Sequence, residues 1–99
     1  MTYRVRYTAE AREDLRRMFR YLSVRDPQLA RKARDTIARA INVLTDFPFT
    51  CRKATPANPL LRELIVPFGG SGYVLLFEIE NVNTVTILAV RHQRQDDLS

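Results

Sequence analysis

Tyr3-Arg4-Val5-Arg6-Tyr7 alternates apolar and charged residues, which predicts a half-buried strand with Tyr3, Val5 and Tyr7 turned inward. The period then changes. Thr8 is a capping residue, Glu10 and Glu13 suit the positive end of a helix, and Ala11, Leu15, Met18 and Leu22 fall on one narrow stripe at helical spacing. This predicts a helix over about 9–24, with Arg12, Arg16 and Arg20 in a neighbouring row and Phe19 and Tyr21 flanking the stripe on opposite sides. Glu13 and Arg17 are expected to pair at i,i+4 spacing. Asp26-Pro27 opens a second helix, a cap residue followed by proline at the first helical position. Ala30, Ala33, Ile37, Ile41 and Leu44 then recur every three to four residues until Phe47-Pro48 stops the pattern. The short joint makes an antiparallel hairpin, and Ala30 and Ala33 are small enough to let its helices approach closely.

Residues 49–60, with Arg52, Lys53 and two prolines, show no periodicity and are expected to form a basic loop. Strand patterns follow: Leu61 to Val66, ended by Pro67; Tyr73 to Glu80; and Thr84 to Val90. Gly69 to Gly72 and Asn81-Val82-Asn83 supply the turns between them. The order predicts one α+β domain over residues 1–99: an N-terminal strand, an antiparallel helical hairpin, then a three-stranded antiparallel meander.

Composition narrows the chemistry. A chain of 99 residues with 45% hydrophobic content supports one core without disulfide or metal staples. One cysteine (Cys51) and one histidine (His92) cannot make a Cys/His zinc site, and no cofactor motif is present. Gly69 to Gly72 lacks the Gly-Lys-Ser/Thr of a phosphate loop and leads into a strand, not a helix. The longest apolar run, Tyr73 to Phe77, is far short of the roughly 20 residues of a membrane span, and the N-terminus lacks the apolar core of a signal peptide. A small, basic, cytoplasmic domain is expected. The net charge of +5 falls in residues 1–50, which hold 11 cations against 6 acids, and all but Lys32 and Lys53 of the cations are arginine. Such a surface suits phosphates or an acidic protein partner.

Two clusters are candidates for chemistry. Arg91-His92-Gln93-Arg94 lies where the last strand ends, and Arg62-Glu63 opens an earlier one. If those strands share a sheet, an RNA-cleaving site is conceivable. His92 or Glu63 would take a 2′-OH proton, with Arg62 and Arg91 stabilising the phosphate. Cys51 stands beside Arg52 and Lys53, whose charges would favour a thiolate, but no histidine base lies nearby in sequence and the residue reads as an incidental loop thiol.

Ala11-Arg-Glu-Asp14-Leu15-Arg-Arg-Met18-Phe-Arg-Tyr21-Leu22 resembles the first-helix signature of the RelE/ParE toxin superfamily. The helix end Leu44-Thr-Asp-Phe47-Pro48, the strand start Arg62-Glu63-Leu64, Gly72 to Ile79, and Ile87 to Arg94 extend the similarity in the right order over roughly residues 3–94. The resemblance implies the RelE/ParE toxin fold and a bacterial type II toxin of the kind associated with plasmid stabilisation. Such a toxin is neutralised by direct binding of a cognate antitoxin, with which it forms a hetero-oligomer. RelE-like members cleave mRNA on the ribosome; ParE-like members poison DNA gyrase. Gln95 stands where close relatives have glutamate, no aromatic residue follows Phe77, and Arg52 and Lys53 are a thin substitute for the several lysines of the ribonuclease branch, so the balance of the resemblance points to the ParE-like branch. That branch implies a protein-binding inhibitor without catalytic residues, metal or cofactor, and no specific DNA binding by the toxin alone. Arg62, Arg91, His92 and Arg94 are then candidates for the target-facing edge, and Arg12, Arg16, Arg20, Phe19 and Tyr21 for antitoxin contact. In the ribonuclease alternative, Arg62, Glu63, Arg91 and His92 are the catalytic candidates.

Overall fold

The computed structural model describes residues 2–93. The chain runs β1 (Arg4–Tyr7), α1 (Ala9–Arg25), α2 (Pro27–Asp46), a single 3-10 turn (Pro48–Thr50), β2 (Arg52–Thr55), β3 (Asn58–Phe68), β4 (Ser71–Asn81) and β5 (Thr84–His92). The five strands form one sheet in the order β1-β5-β4-β3-β2, antiparallel throughout except for the parallel pair β1/β5.

The helices begin where the sequence signals them. The Thr8 hydroxyl accepts from the Ala11 amide at 3.0 Å. Asp26 closes α1 and caps α2 at once, its amide donating to the Leu22 carbonyl while its carboxylate accepts from Gln28 and Leu29. Ala11 from α1 and Ile37 and Leu44 from α2 pack on Tyr73, Leu75, Phe77 and Ile79, alternate residues of β4, together with Val85, Ile87 and Val90 of β5. The helices therefore cover one face of the sheet, and Val74, Leu76 and Glu78 point to the other.

The meander has four strands, not three. Residues 49–60 are not a loop: β2 lies within them, and β3 starts at Asn58 and continues through Pro67 to Phe68. Arg52-Lys53-Ala54-Thr55 has no apolar alternation because it is an edge strand with two exposed cations, so its pattern is silent. Pro67 is tolerated because β2 pairs with β3 only as far as Glu63, leaving the outer edge of β3 without a neighbour there. Of the glycine cluster, Gly69 makes the turn at φ 62°, whereas Gly72 is a buried strand residue whose added Cβ would collide with the Val66 carbonyl oxygen.

One irregularity aims the end of β5. Phe77 pairs with Ile87 but Leu76 pairs with Ala89, so Leu88 is an extra residue. The bulge reverses the alternation, and Val90 and His92 face the helices like Ile87, while Arg91 points away. β1 ends opposite Ile87, and α1 takes over the freed edge of β5. The Thr8 amide donates to Ile87 O, the Thr8 hydroxyl donates to Leu88 O at 3.1 Å, and the Asp14 carboxylate accepts from the Val90 amide at 2.9 Å.

Candidate functional site

Beside that junction a groove of about 500 Å³ separates α1 from the ends of β4 and β5. Met18, Leu22, Tyr73 and Val90 make its apolar lining, and Arg17, Tyr21, Arg91 and His92 its polar rim. Asp14 braces the wall, accepting from Val90 with one oxygen and from Arg17 at 2.7 Å with the other. His92 stands edge-on to the Tyr73 ring, with centroids 5.5 Å apart, and its Nε2 lies 3.1 Å from the Ser71 hydroxyl. Burial pushes the Tyr73 phenol above its ordinary pKa. The Arg25 guanidinium lies 3.7 Å over the exposed Tyr21 ring and donates to the Tyr21 carbonyl.

The residues named as a ribonuclease centre do not converge. Arg62 is opposite Phe77 and His92 opposite Tyr73, so both are on the helix side, four residues apart along β4 and two strands apart across it. At about 3.3 Å per residue and 4.8 Å per strand, their backbones are roughly 16 Å apart. Glu63 is opposite Leu76 and Arg91 opposite Val74, on the far side of the sheet and roughly 12 Å from each other by the same spacing. Glu63 is held by Arg52 Nε at 2.8 Å. Arg62 is half-buried and donates to three carbonyls: Pro59 at 2.7 Å, Cys51 at 2.8 Å and Phe49 at 3.1 Å. The sheet is shared, as the sequence suggested, and Arg91 and His92 both line the groove, but register keeps them away from Arg62 and Glu63. Arg94 lies outside the described residues.

The proposed antitoxin residues divide as well. Arg12, Arg16 and Phe19, with Tyr7 and Leu15, line a shallow depression on the β1 side of α1. Tyr21 belongs to the groove on the other side of the helix, and Arg20 is exposed between them. Burial raises the Tyr7 phenol, and the Arg12 charge opposes that shift in part. Glu13 pairs with Arg16 at 2.8 Å and Arg17 with Asp14, both at i,i+3 rather than the expected Glu13–Arg17 spacing. The Cys51 thiol is pushed up, not down: burial outweighs the charge it feels, which comes from Arg62 rather than Arg52 or Lys53. No group of three or more His, Cys, Asp or Glu able to hold a metal occurs among the described residues. None of the described helices is long and apolar enough to cross a membrane.

Sequence reasoning missed the role of Asp14 altogether, because its partner Val90 is 76 positions away. Asp14, the one aspartate of a helix whose other acids are Glu10 and Glu13, directly precedes the apolar Leu15, and that was the available signal.

Known proteins share both sequence and architecture. A Pseudomonas aeruginosa chain from a chromosomal ParDE toxin–antitoxin system superposes with a TM-score of 0.72, covering 92% of this chain and 96% of that one at 18% identity. The toxin RelE1 of Caulobacter vibrioides is 32% identical over 79 residues, 80% of this chain and 82% of its own length. The family model of the ParE toxin of type II toxin–antitoxin systems matches residues 5–97. On sequence and fold together, the chain belongs to the ParE toxin family within the wider RelE/ParE group.

Proposed function

We propose that this toxin arrests bacterial growth in the cytoplasm by binding and poisoning DNA gyrase, and that a cognate antitoxin neutralises it by direct contact. The observation that carries this reading is the dispersal of the acid–base candidates. Arg91 and His92 both line the groove beside α1, whereas Arg62 and Glu63 stand away from it on β3, committed to structural partners. A general base must come within hydrogen-bond reach of the proton it takes, with phosphate-stabilising donors around the same centre. This layout instead favours inhibition by contact.

The antitoxin's contact begins on the depression of Tyr7, Leu15 and Phe19, beneath Arg12 and Arg16. Apolar side chains set under cations suit an acidic amphipathic segment that orders on binding. Arg91, His92 and the groove they rim belong to the target side.

The test is pulse-labelling of DNA and protein synthesis in bacteria within minutes of inducing the chain without its antitoxin. Thymidine incorporation falls first while translation persists, and the purified chain inhibits supercoiling by gyrase. Collapse of amino-acid incorporation first, with cleavage of ribosome-bound mRNA, overturns the gyrase reading in favour of the ribonuclease activity of RelE-like toxins.

A further inference from the structure

Four of the exposed large apolar side chains fall along the run of chain from the end of α2 to the start of β3: Val43 and Phe47 at the close of α2, Phe49 in the 3-10 turn, and Leu60 in β3. Phe47 is 63% exposed and Phe49 52%, unusual for aromatic residues held in ordered backbone. Local hydrogen bonds fix that backbone, with the Phe47 amide donating to Val43 O and the Thr50 amide to Phe47 O. Arg62 sits 5.3 Å from the Phe49 ring, on the same strand face as Leu60.

The charge beside this patch is one-sided. Across β2/β3 the outward pair Arg52/Glu63 is complementary, but on the patch side Lys53 stands directly opposite Arg62. Like charges opposed on one face of a sheet destabilise it. The carbonyl oxygens of Pro59, Phe49 and Cys51 orient the Arg62 guanidinium without neutralising it. A partner carboxylate set over Lys53 and Arg62 would relieve that repulsion, and an Arg62 already held in place loses little freedom on binding.

We infer that Phe47, Phe49 and Leu60, with Lys53 and Arg62, form a docking surface for an acidic, apolar-flanked segment of the toxin's target protein. The inference rests on the proposed contact mechanism and moves the centre of target binding from the strand end of Arg91 to the α2–β3 corner. The antitoxin depression on α1 is a separate surface. Both phenylalanine side chains are exposed, so their removal leaves the core of the fold intact.

The experiment compares the full-length wild type with the double variant Phe47→Ser/Phe49→Ser and with Lys53→Glu, after thermal melts have matched their folding. The readouts are growth arrest on induction and inhibition of purified gyrase. Both variants are expected to lose at least tenfold in inhibitory potency. Wild-type potency in either correctly folded variant overturns the inference. So does a concentration-dependent dimer, or binding to a labelled oligo-dT, that Phe47→Ser/Phe49→Ser abolishes, since a second copy or a nucleic acid would then occupy the patch. If the wild type blocks translation rather than gyrase, the gyrase reading fails. The docking surface is then judged on growth arrest and translation inhibition: weaker variants uphold it and undiminished variants overturn it.

Discussion

Asp14 does the work of a missing strand with a single carboxylate. Past Ile87, β5 has no β1 beside it, and the Val90 amide finds Asp14 Oδ2 instead. A hydrogen bond to a charged acceptor is worth about 1.5–3 kcal/mol, so Asp14→Ala should lower the unfolding free energy by about 2 kcal/mol. Arg17→Ala, which removes only the exposed partner of the ion pair, should cost well under 1 kcal/mol. Urea unfolding of the two variants separates these contributions, and equal shifts in midpoint would contradict the assignment to Val90. Arg62 is another residue whose role the one-dimensional pattern conceals. The sequence offers it as a free cation at a strand start, whereas the fold uses it to tie together the carbonyls of Phe49, Cys51 and Pro59. Those acceptors belong to the backbone, which looks the same at every position of a sequence.

The helices were legible and the sheet edge was not. Thr8, Asp26 and Pro27 are local signals whose meaning is exhausted within one helical turn, and both helix starts fall where they indicate. β2 depends on a partner instead: Arg52-Lys53-Ala54-Thr55 becomes a strand through pairing with β3, and its side chains carry no burial pattern. The Leu88 bulge was hidden for a related reason. Ile87-Leu88-Ala89-Val90 reads as a continuous apolar run whether or not one residue is extra. The α1–β5 junction is the structural answer to that bulge, and Thr8 serves both sides of it. Its hydroxyl caps α1 by accepting from Ala11 and also donates to Leu88 O. Thr8→Val keeps the shape and deletes both bonds, and should destabilise the domain by about 1–2 kcal/mol. Thr8→Ser, which retains the hydroxyl, should recover most of that loss in the same denaturant titration.

For the domain as a unit, stability has an alkaline limit and binding has an electrostatic one. Cys51, Tyr7 and Tyr73 all have pKa values raised by burial above their ordinary 9.0, 10.0 and 10.0. Below about pH 8 both folded and unfolded chains hold these protons, and the three groups add no pH dependence; Cys51 is the first to contribute above that. As pH rises from there, the unfolded chain releases protons that the folded one retains, so stability falls until the folded pKa values are passed. The Tm should therefore decline between pH 9 and 11, and Tyr73→Phe and Cys51→Ser should each flatten the decline. Binding turns on charge: the net +5 resides in the half of the chain that makes β1 and the helices. Arg16 and Arg20, both exposed, contribute to the field met by an acidic antitoxin segment approaching the α1 depression. Reversing both, as Arg16→Glu/Arg20→Glu, changes the local charge by four units and leaves the buried stripe of Ala11 and Leu22 untouched. The association rate with the antitoxin should fall by at least tenfold at low salt, the gap narrowing as added salt shortens the Debye length to about 3 Å at 1 M. The dissociation rate should change less, because the apolar contacts proposed for Tyr7, Leu15 and Phe19 would remain. Stopped-flow mixing across ionic strength decides the matter: an association rate indifferent to both charge reversal and salt would place the antitoxin on another face of the molecule.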